Sequence, residues 1–132
     1  MMNTIISLIA AAVTFGTVLM YGTLGEVLTE RSGNLNLGVE GIMFMGGAFG
    51  LGGVFYYEQA VGEANSSAAV ALLIALASAF AAGAIASLIF SFLTITLRAN
   101  QNVTGLALTI FGTGVGQFTG EYMRVHQGGY VA

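Results

Sequence analysis

The chain has 132 residues, of which 56% are hydrophobic and only 7% are charged, and its formal net charge is −3 at pH 7. Soluble domains carry about 25% charged residues, so this composition excludes a soluble globular domain. The chain has no cysteine, no lysine and one histidine, which excludes a Walker A phosphate loop, a cysteine nucleophile and a conventional zinc site.

The first predicted element is a transmembrane helix over residues Thr4–Gly25. These 22 residues carry no charge, and about 20 apolar residues are enough for a helix to cross the hydrocarbon core. A cleaved signal peptide is the alternative, but it requires basic residues near its start, and the first basic residue is Arg31. We therefore expect a transmembrane helix.

A polar, glycine-containing segment follows this run, and we take it as the candidate functional site. An ionisable group at membrane depth costs a few kcal/mol or more, so it indicates function by default. The alternative is a connecting loop at the membrane surface. The charged and amide residues of the segment are Glu26, Glu30, Arg31, Asn34, Asn36 and Glu40.

The second predicted helix is the uncharged run Gly41–Tyr57, which contains six glycines. A glycine in a helix interior costs about 1 kcal/mol relative to alanine, so this is a poor isolated helix. Gly46 and Gly50 have the spacing that permits close helix packing in membranes. The alternative is a broken or re-entrant segment, as found where transporters place their substrate sites.

A short acidic loop, Glu58–Ser67, leads to one long predicted helix over Ala68–Leu97. Thirty residues make a helix of about 45 Å, which exceeds a hydrocarbon core of about 30 Å and therefore requires tilt or protrusion. Small residues recur at every fourth position, among them Ala75, Ala79 and Gly83. This stripe predicts a close-packed interface, although an alanine-rich helix also produces such a stripe by chance.

Arg98 ends this helix, and a fourth span is predicted within Ala99–Gly120, with Gly112 and Gly116 as a second close-packing pair. The remainder, Glu121–Ala132, is a polar tail. The sequence thus predicts an all-α polytopic membrane protein: one transmembrane domain over residues 1–132, with about four transmembrane helices. The second of these helices is glycine-rich and either continuous or broken.

The arginines indicate the orientation of the spans. Arg31 and Arg98 flank spans whose other connection carries no basic residue, so the positive-inside rule places both arginines in the cytoplasm. The acidic loop and both ends of the chain then lie outside. Arg124 lies on the unexpected side in this arrangement.

Two blocks of sequence carry a family resemblance. ERSGNLNLGVEGIMFMGG begins at Glu30, and LRANQNVTGLALTIFGTG begins at Leu97. Together they resemble the permease subunits of ABC importers, in the branched-chain amino acid/ribose/nucleoside permease family, and the nucleoside and simple-sugar branch is the closest match. Family permeases are longer, so the resemblance implies that this chain is the N-terminal portion of a permease domain.

The resemblance also implies a setting and partners. It implies a multi-pass subunit in the bacterial plasma (inner) membrane. It implies separate ATPase subunits, a second permease subunit in a homo- or heterodimer, and an extracytoplasmic substrate-binding protein. The chain's own three arginines form no basic patch for nucleic acid, and we expect no metal or other cofactor.

The candidate substrate pathway consists of one carboxylate and four amides: Glu40, Asn34, Asn36, Asn100 and Gln101. A carboxylate accepts hydrogen bonds from sugar hydroxyls, and amides both donate and accept, which suits a neutral polyhydroxy or nucleobase solute. The alternative for each amide is helix capping or a hydrogen bond between helices. No nucleophile or metal partner accompanies the carboxylates, so we expect a transport subunit rather than an enzyme.

A second hypothesis explains the short length of the chain better. In it the protein is a self-contained small oligomeric channel or proton-coupled transporter, with Glu40 as the coupling carboxylate. A permease subunit whose energy comes from separate ATPases explains both sequence blocks.

Overall fold

The computed structural model describes residues 2–62 and 65–126, and helices dominate this part of the chain. The elements are α1 (Met2–Arg31), α2 (Val39–Val61), α3 (Ala68–Ser91) with a π-helical turn (Phe92–Thr96), and α4 (Gln101–His126). Three helices are long and apolar enough to cross a membrane, over Thr4–Arg31, Val39–Val61 and Ala68–Thr96. The predicted all-α membrane fold with four helices is therefore confirmed, and a membrane crossing by α4 stays a prediction.

α1 is longer than predicted and ends in a glycine cap. Gly33 has a φ of +86°, the left-handed conformation that glycine adopts without steric cost. Its N–H donates to the Glu30 carbonyl at 2.9 Å, and the Asn34 N–H donates to the Thr29 carbonyl at 3.0 Å. This pair of bonds is the Schellman motif. The predicted end at Gly25 is therefore wrong, and Glu26 and Glu30 lie on helix rather than in a loop.

α2 is continuous, so the broken or re-entrant alternative is wrong. The irregular backbone is confined to residues 32–38, before the helix begins. At its other end α2 runs past Tyr57 to Val61, where the Gly62 N–H donates to the Glu58 carbonyl at 2.8 Å. The predicted acidic loop therefore starts too early, and its residues 63 and 64 lie outside the described residues.

α3 and its π turn form the single long helix that the sequence predicts. The Leu97 N–H donates to the Phe92 carbonyl at 3.1 Å, which is the wider hydrogen bonding of a π turn. Arg98, with a φ of +51°, ends the helix. The left-handed conformation costs a non-glycine residue roughly 1–2 kcal/mol, so this turn is strained.

α4 continues past the predicted end at Gly120 as far as His126. Glu121 and Arg124 form an exposed ion pair at 2.6 Å along its last turns. The hydrogen bond from Arg124 lowers the pKa of the Glu121 carboxyl. The polar tail is therefore helical over residues 121–126, and residues 127–132 lie outside the described part.

α2 lies between α3 and α4, and glycines let the backbones of α2 and α4 touch. A Cβ added at Gly112 would lie 2.5 Å from the Gly41 carbonyl oxygen. A Cβ at Gly116 would overlap the Phe44 ring. In lipid, helices associate through such close van der Waals packing, because apolar side chains gain little by leaving an apolar solvent.

The α2–α3 contact uses small residues from both helices. A Cβ added at Gly50 would lie 3.2 Å from the Ala75 carbonyl oxygen and 3.3 Å from the Ala79 Cβ. At Gly46 it would lie 3.5 Å from the Ala79 carbonyl oxygen. These distances permit close approach of the two backbones over about one helical turn.

Farther along α3 the packed face leaves the four-residue stripe. A Cβ added at Gly83 would lie 3.8 Å from the Ile42 Cγ2 atom, an ordinary contact. The most buried residues of α3 are Ala82, Ala86 and Phe90, which lie one position before the stripe. The reason is the rotation of about 40° that accumulates at each step of four residues.

α1 stands apart from the other helices. Among the described helices it packs only against α2. From Thr4 onward every residue of α1 is exposed except Gly22, Glu26 and Thr29, which are partly covered. A Cβ added at Gly22 would lie 2.6 Å from the Met43 Sδ atom. The attachment of α1 is thus limited to its C-terminal third, next to the polar segment.

Candidate functional site

The irregular residues 32–38, called here the 32–38 segment, join α1 to α2 and are held by side chains. On one side Gln101, the first residue of α4, binds two backbone groups of the segment. Its Oε1 accepts a hydrogen bond from the Leu35 N–H at 2.9 Å, and its Nε2 donates to the Gly33 carbonyl at 3.4 Å. Gln101 therefore fixes the segment to the start of α4.

Two further side chains bind the next two residues of the segment. The Glu26 Oε1 on α1 accepts a hydrogen bond from the Asn36 N–H at 3.1 Å. The Thr109 hydroxyl on α4 donates to the Leu37 carbonyl at 2.8 Å. Backbone groups that form no helical hydrogen bond need another partner when they are buried. In the 32–38 segment, side chains of α1 and α4 bind four such groups.

Asn36 forms the turn that leads into α2. Only 5% of the residue is exposed, and its Oδ1 accepts a hydrogen bond from the Gly38 N–H at 2.9 Å. This bond identifies which end of the amide carries the oxygen, and Asn36 is also one of the residues that line a cavity. Asn34 differs, because its Oδ1 is buried and has no hydrogen-bond partner in the described part of the chain.

A cavity of about 380 Å³ lies between α1, the 32–38 segment and the first turn of α2, and half of its lining residues are polar. Its polar lining residues are Thr23, Glu26, Glu30, Asn36 and Glu40, and none of the described lining residues is basic. Glu40 is exposed, and Glu26 is partly buried. The cavity therefore presents three carboxylates and one amide in a chain that is otherwise strongly apolar.

The structure brings together only part of the predicted pathway. Asn36 and Glu40 share the cavity, while Asn34 does not line it. Gln101 holds the 32–38 segment. Asn100 caps α4, because its Oδ1 accepts a hydrogen bond from the Val103 N–H at 3.1 Å. Asn100 therefore makes a helix-capping contact, which is the alternative interpretation of this amide.

Three polar residues of the cavity were not in the predicted pathway: Thr23, Glu26 and Glu30. The sequence singled out Glu26 and Glu30 as part of the polar segment but did not place them in the pathway, and it did not single out Thr23. All three lie on α1. Positions three or four residues apart lie on one face of a helix, so the spacing of these residues is itself the signal. It becomes usable only once α1 is known to continue to Arg31.

A larger and apolar cavity of about 660 Å³ lies among α2, α3 and α4. Phe49, Ile85 and Phe118 contribute to its lining. It offers shape and apolar contact but little polar chemistry. Within residues 2–62 and 65–126, no three His, Asp or Glu side chains are grouped so as to hold a metal ion.

Comparisons with known proteins give a family and several relatives of this chain. The profile of a family described as "Branched-chain amino acid transport system / permease component" matches residues 7–129. A putative glucose ABC transporter permease of Haloferax volcanii is 40% identical over 114 residues, which are 86% of this chain and 31% of that protein. No solved structure matches the chain at a significant level.

Two nucleoside permeases are also similar. The guanosine ABC transporter permease of Bacillus subtilis is 35% identical over 111 residues, 84% of this chain and 33% of that protein. The nucleoside ABC transporter permease of Lactococcus lactis is 28% identical over 116 residues, 88% of this chain and 35% of that protein. The chain thus spans about a third of the length of these relatives. The resemblance predicted from the two sequence blocks is confirmed.

Proposed function

Because the chain belongs to the family of branched-chain amino acid transport system permease components, we propose that it forms part of the translocation pathway of an ATP-binding-cassette importer. The solute is a nucleoside or simple sugar, the substrates after which the similar permeases are named. ATP is hydrolysed by separate subunits, since the chain has no lysine for a Walker A loop. The assembly lies in a bacterial plasma membrane.

The partners follow from the same proposal. Separate ATPase subunits supply the energy, and a second permease subunit, identical or different, completes the pathway. An extracytoplasmic binding protein delivers the solute. The chain itself acts as a transport component and performs no chemical reaction.

The observation that carries the proposal is the cavity between α1 and the start of α2, which is lined by Glu26, Glu30, Glu40 and Asn36. A carboxylate accepts hydrogen bonds from hydroxyl and amine groups, and an amide both donates and accepts them. No basic side chain in the described lining compensates a negative ligand. Like charges brought together in a partly desolvated site are strongly unfavourable. The cavity therefore favours uncharged, hydroxyl-rich solutes over their phosphorylated forms.

The test is uptake by the assembled transporter in proteoliposomes with ATP inside and binding protein outside. Glu40→Gln keeps the shape of the side chain and removes its charge. Glu58→Gln is the matched control, because it makes the same change near the other end of α2, away from the cavity. We expect Glu40→Gln to lower uptake at least tenfold with intact assembly, and Glu58→Gln to leave it within about twofold.

Competition refines the same experiment. Unlabelled nucleoside or sugar should compete with labelled solute, and its monophosphate should not. Normal uptake by Glu40→Gln would remove the cavity from the pathway. Uptake that is driven by a pH gradient without ATP and lost in Glu40→Gln would instead support a proton-coupled transporter.

A further inference from the structure

We infer that Glu26 is a positioning residue, which holds the Asn36 turn in place beside the solute. This inference rests on the proposed function, because it assigns a role within the same cavity. Glu26 was not among the predicted pathway residues. Its position is set by α1, whereas the group that it binds belongs to the turn before α2.

The geometry around Glu26 is specific. One carboxylate oxygen, Oε1, accepts a hydrogen bond from the Asn36 N–H at 3.1 Å. The Thr29 hydroxyl donates to the Glu26 backbone carbonyl at 2.8 Å, and the other carboxylate oxygen, Oε2, lies farther from that hydroxyl, at 3.4 Å. The Glu26 side chain is partly buried. This arrangement orients Glu26 toward the turn rather than toward bulk solvent.

The bond matters because the turn is buried. Asn36 is 5% exposed, so without Glu26 its N–H would lose its partner where water has little access. A buried amide without a partner is unfavourable and forces the backbone to move or to admit water. Gln101 anchors the other side of the segment through Leu35 and Gly33. Loss of Glu26 would therefore release the cavity side of the turn while the α4 side stays attached.

The bond also joins α1 to the rest of the molecule. Apart from Glu26, only Gly22 and Thr29 of the described residues after Thr4 in this helix are partly covered. Glu26 thus joins α1 to the turn through a side-chain hydrogen bond, and both elements line the same cavity. The shape of that cavity, and so the fit of a solute, depends on this bond.

The first measurement is amide hydrogen exchange in the assembled transporter, followed in peptides that cover residues 33–38. A buried N–H left without any acceptor is unfavourable enough that loss of this bond should speed local exchange about ten- to a hundredfold. We expect this acceleration in Glu26→Leu. Glu26→Gln retains an acceptor oxygen and should stay within about threefold of the native rate. Glu58→Leu, on α2 and away from the cavity, is the control and should leave these peptides unchanged.

The second measurement is uptake, with KM and maximal rate determined separately. Glu26→Leu should raise the KM about tenfold with little change in maximal rate, and Glu26→Gln should restore it. A solely structural role would lower both uptake and assembly without this split. If Glu26→Leu does not assemble, Glu26→Asp provides the test, because it keeps the charge but withdraws the oxygens from Asn36. It should accelerate exchange and raise the KM as well.

The outcomes separate this inference from the proposed function. Unchanged exchange in Glu26→Leu, or in Glu26→Asp if that variant is used, overturns the positioning role even if Glu40→Gln still lowers uptake. Faster exchange with a native KM shows that the turn does not position the solute, and it also overturns the inference. A defect in Glu26→Gln as large as that in Glu26→Leu would mean that the charge acts rather than the acceptor, and this contradicts it too. Native uptake in Glu40→Gln tests only the proposed function.

Discussion

Replacement of Gly112 by alanine should force α2 and α4 apart. The added Cβ would lie 2.5, 2.7 and 2.8 Å from the carbonyl oxygen, carbonyl carbon and Cα atom of Gly41. All three are backbone atoms, so no side-chain rotation relieves the overlap. The two helices must separate where the 32–38 segment meets both of them.

The magnitude follows from two opposing terms. Overpacking a close-packed interior costs about 1–3 kcal/mol, and a clash with backbone belongs in the upper part of this range. The higher helix propensity of alanine stabilises the helix by about 1 kcal/mol relative to glycine. The net loss of stability is therefore about 1–2 kcal/mol. At roughly 4 °C per kcal/mol for a chain of this size, the apparent melting temperature should fall by roughly 4–8 °C.

The assay is thermal unfolding of the purified protein in detergent, with Gly114→Ala as the matched control. Gly114 lies on the same helix, and a Cβ added there meets nothing within 4 Å. Gly114→Ala should therefore leave the melting temperature unchanged or raise it by a few degrees. If Gly112→Ala melts as high as Gly114→Ala, the α2–α4 contact does not limit stability, and the reasoning is refuted.

A double variant extends the same test. A Cβ at Gly41 would lie 2.6 Å from both the Leu108 carbonyl oxygen and the Thr109 Cα atom. Once one alanine has separated the helices, the second should cost less. The effects of Gly41→Ala and Gly112→Ala should therefore be less than additive, as expected for residues in contact. Full additivity would indicate that the two glycines act independently.

Three further predictions concern the turns and α3. Arg98→Gly should raise the apparent melting temperature by several degrees, because glycine relieves the left-handed strain of roughly 1–2 kcal/mol. Arg98→Ala keeps this strain and should leave the melting temperature unchanged. Single cysteines introduced at Ser66 and at the exposed Asn102 should react with a membrane-impermeant reagent from opposite sides, and labelling of Ser66→Cys only from the cytoplasm would reverse the orientation. Gly83→Leu should lower the stability of the protein by about 1–3 kcal/mol through overpacking against Ile42, whereas the Cβ of Gly83→Ala fits the 3.8 Å contact. Equal melting temperatures of the two variants would show that this face of α3 contacts lipid.

The sequence alone determined the class of the protein and most of its helices. A long run of apolar residues is sufficient to predict a membrane helix, because every backbone group in the membrane must form its hydrogen bond within its own helix. The long helix from Ala68 and its end at Arg98 could therefore be predicted. The family was also identified from sequence, since two ordered blocks are specific without any knowledge of their contacts.

Helix ends were predicted less well because they depend on local caps and polar side chains rather than on hydropathy. α1 continues through Glu26 and Glu30 to the Schellman motif at Gly33. A hydropathy argument stops at the first charge, whereas the helix stops where a left-handed residue satisfies its last carbonyls. The same error shortened α4 at Gly120.

Only the tertiary structure decided which polar side chains meet. Asn100 and Gln101 are neighbours in sequence, yet one caps α4 and the other holds the 32–38 segment. Glu26 reaches Asn36 because the chain turns after α1, and the turn before α2 lies beside the end of α1. These pairings depend on how closely the helices approach, and contacts such as that of Gly41 with Gly112 set this distance between residues far apart in the chain. A helix can be predicted from its own residues, but such a contact is a property of two helices at once.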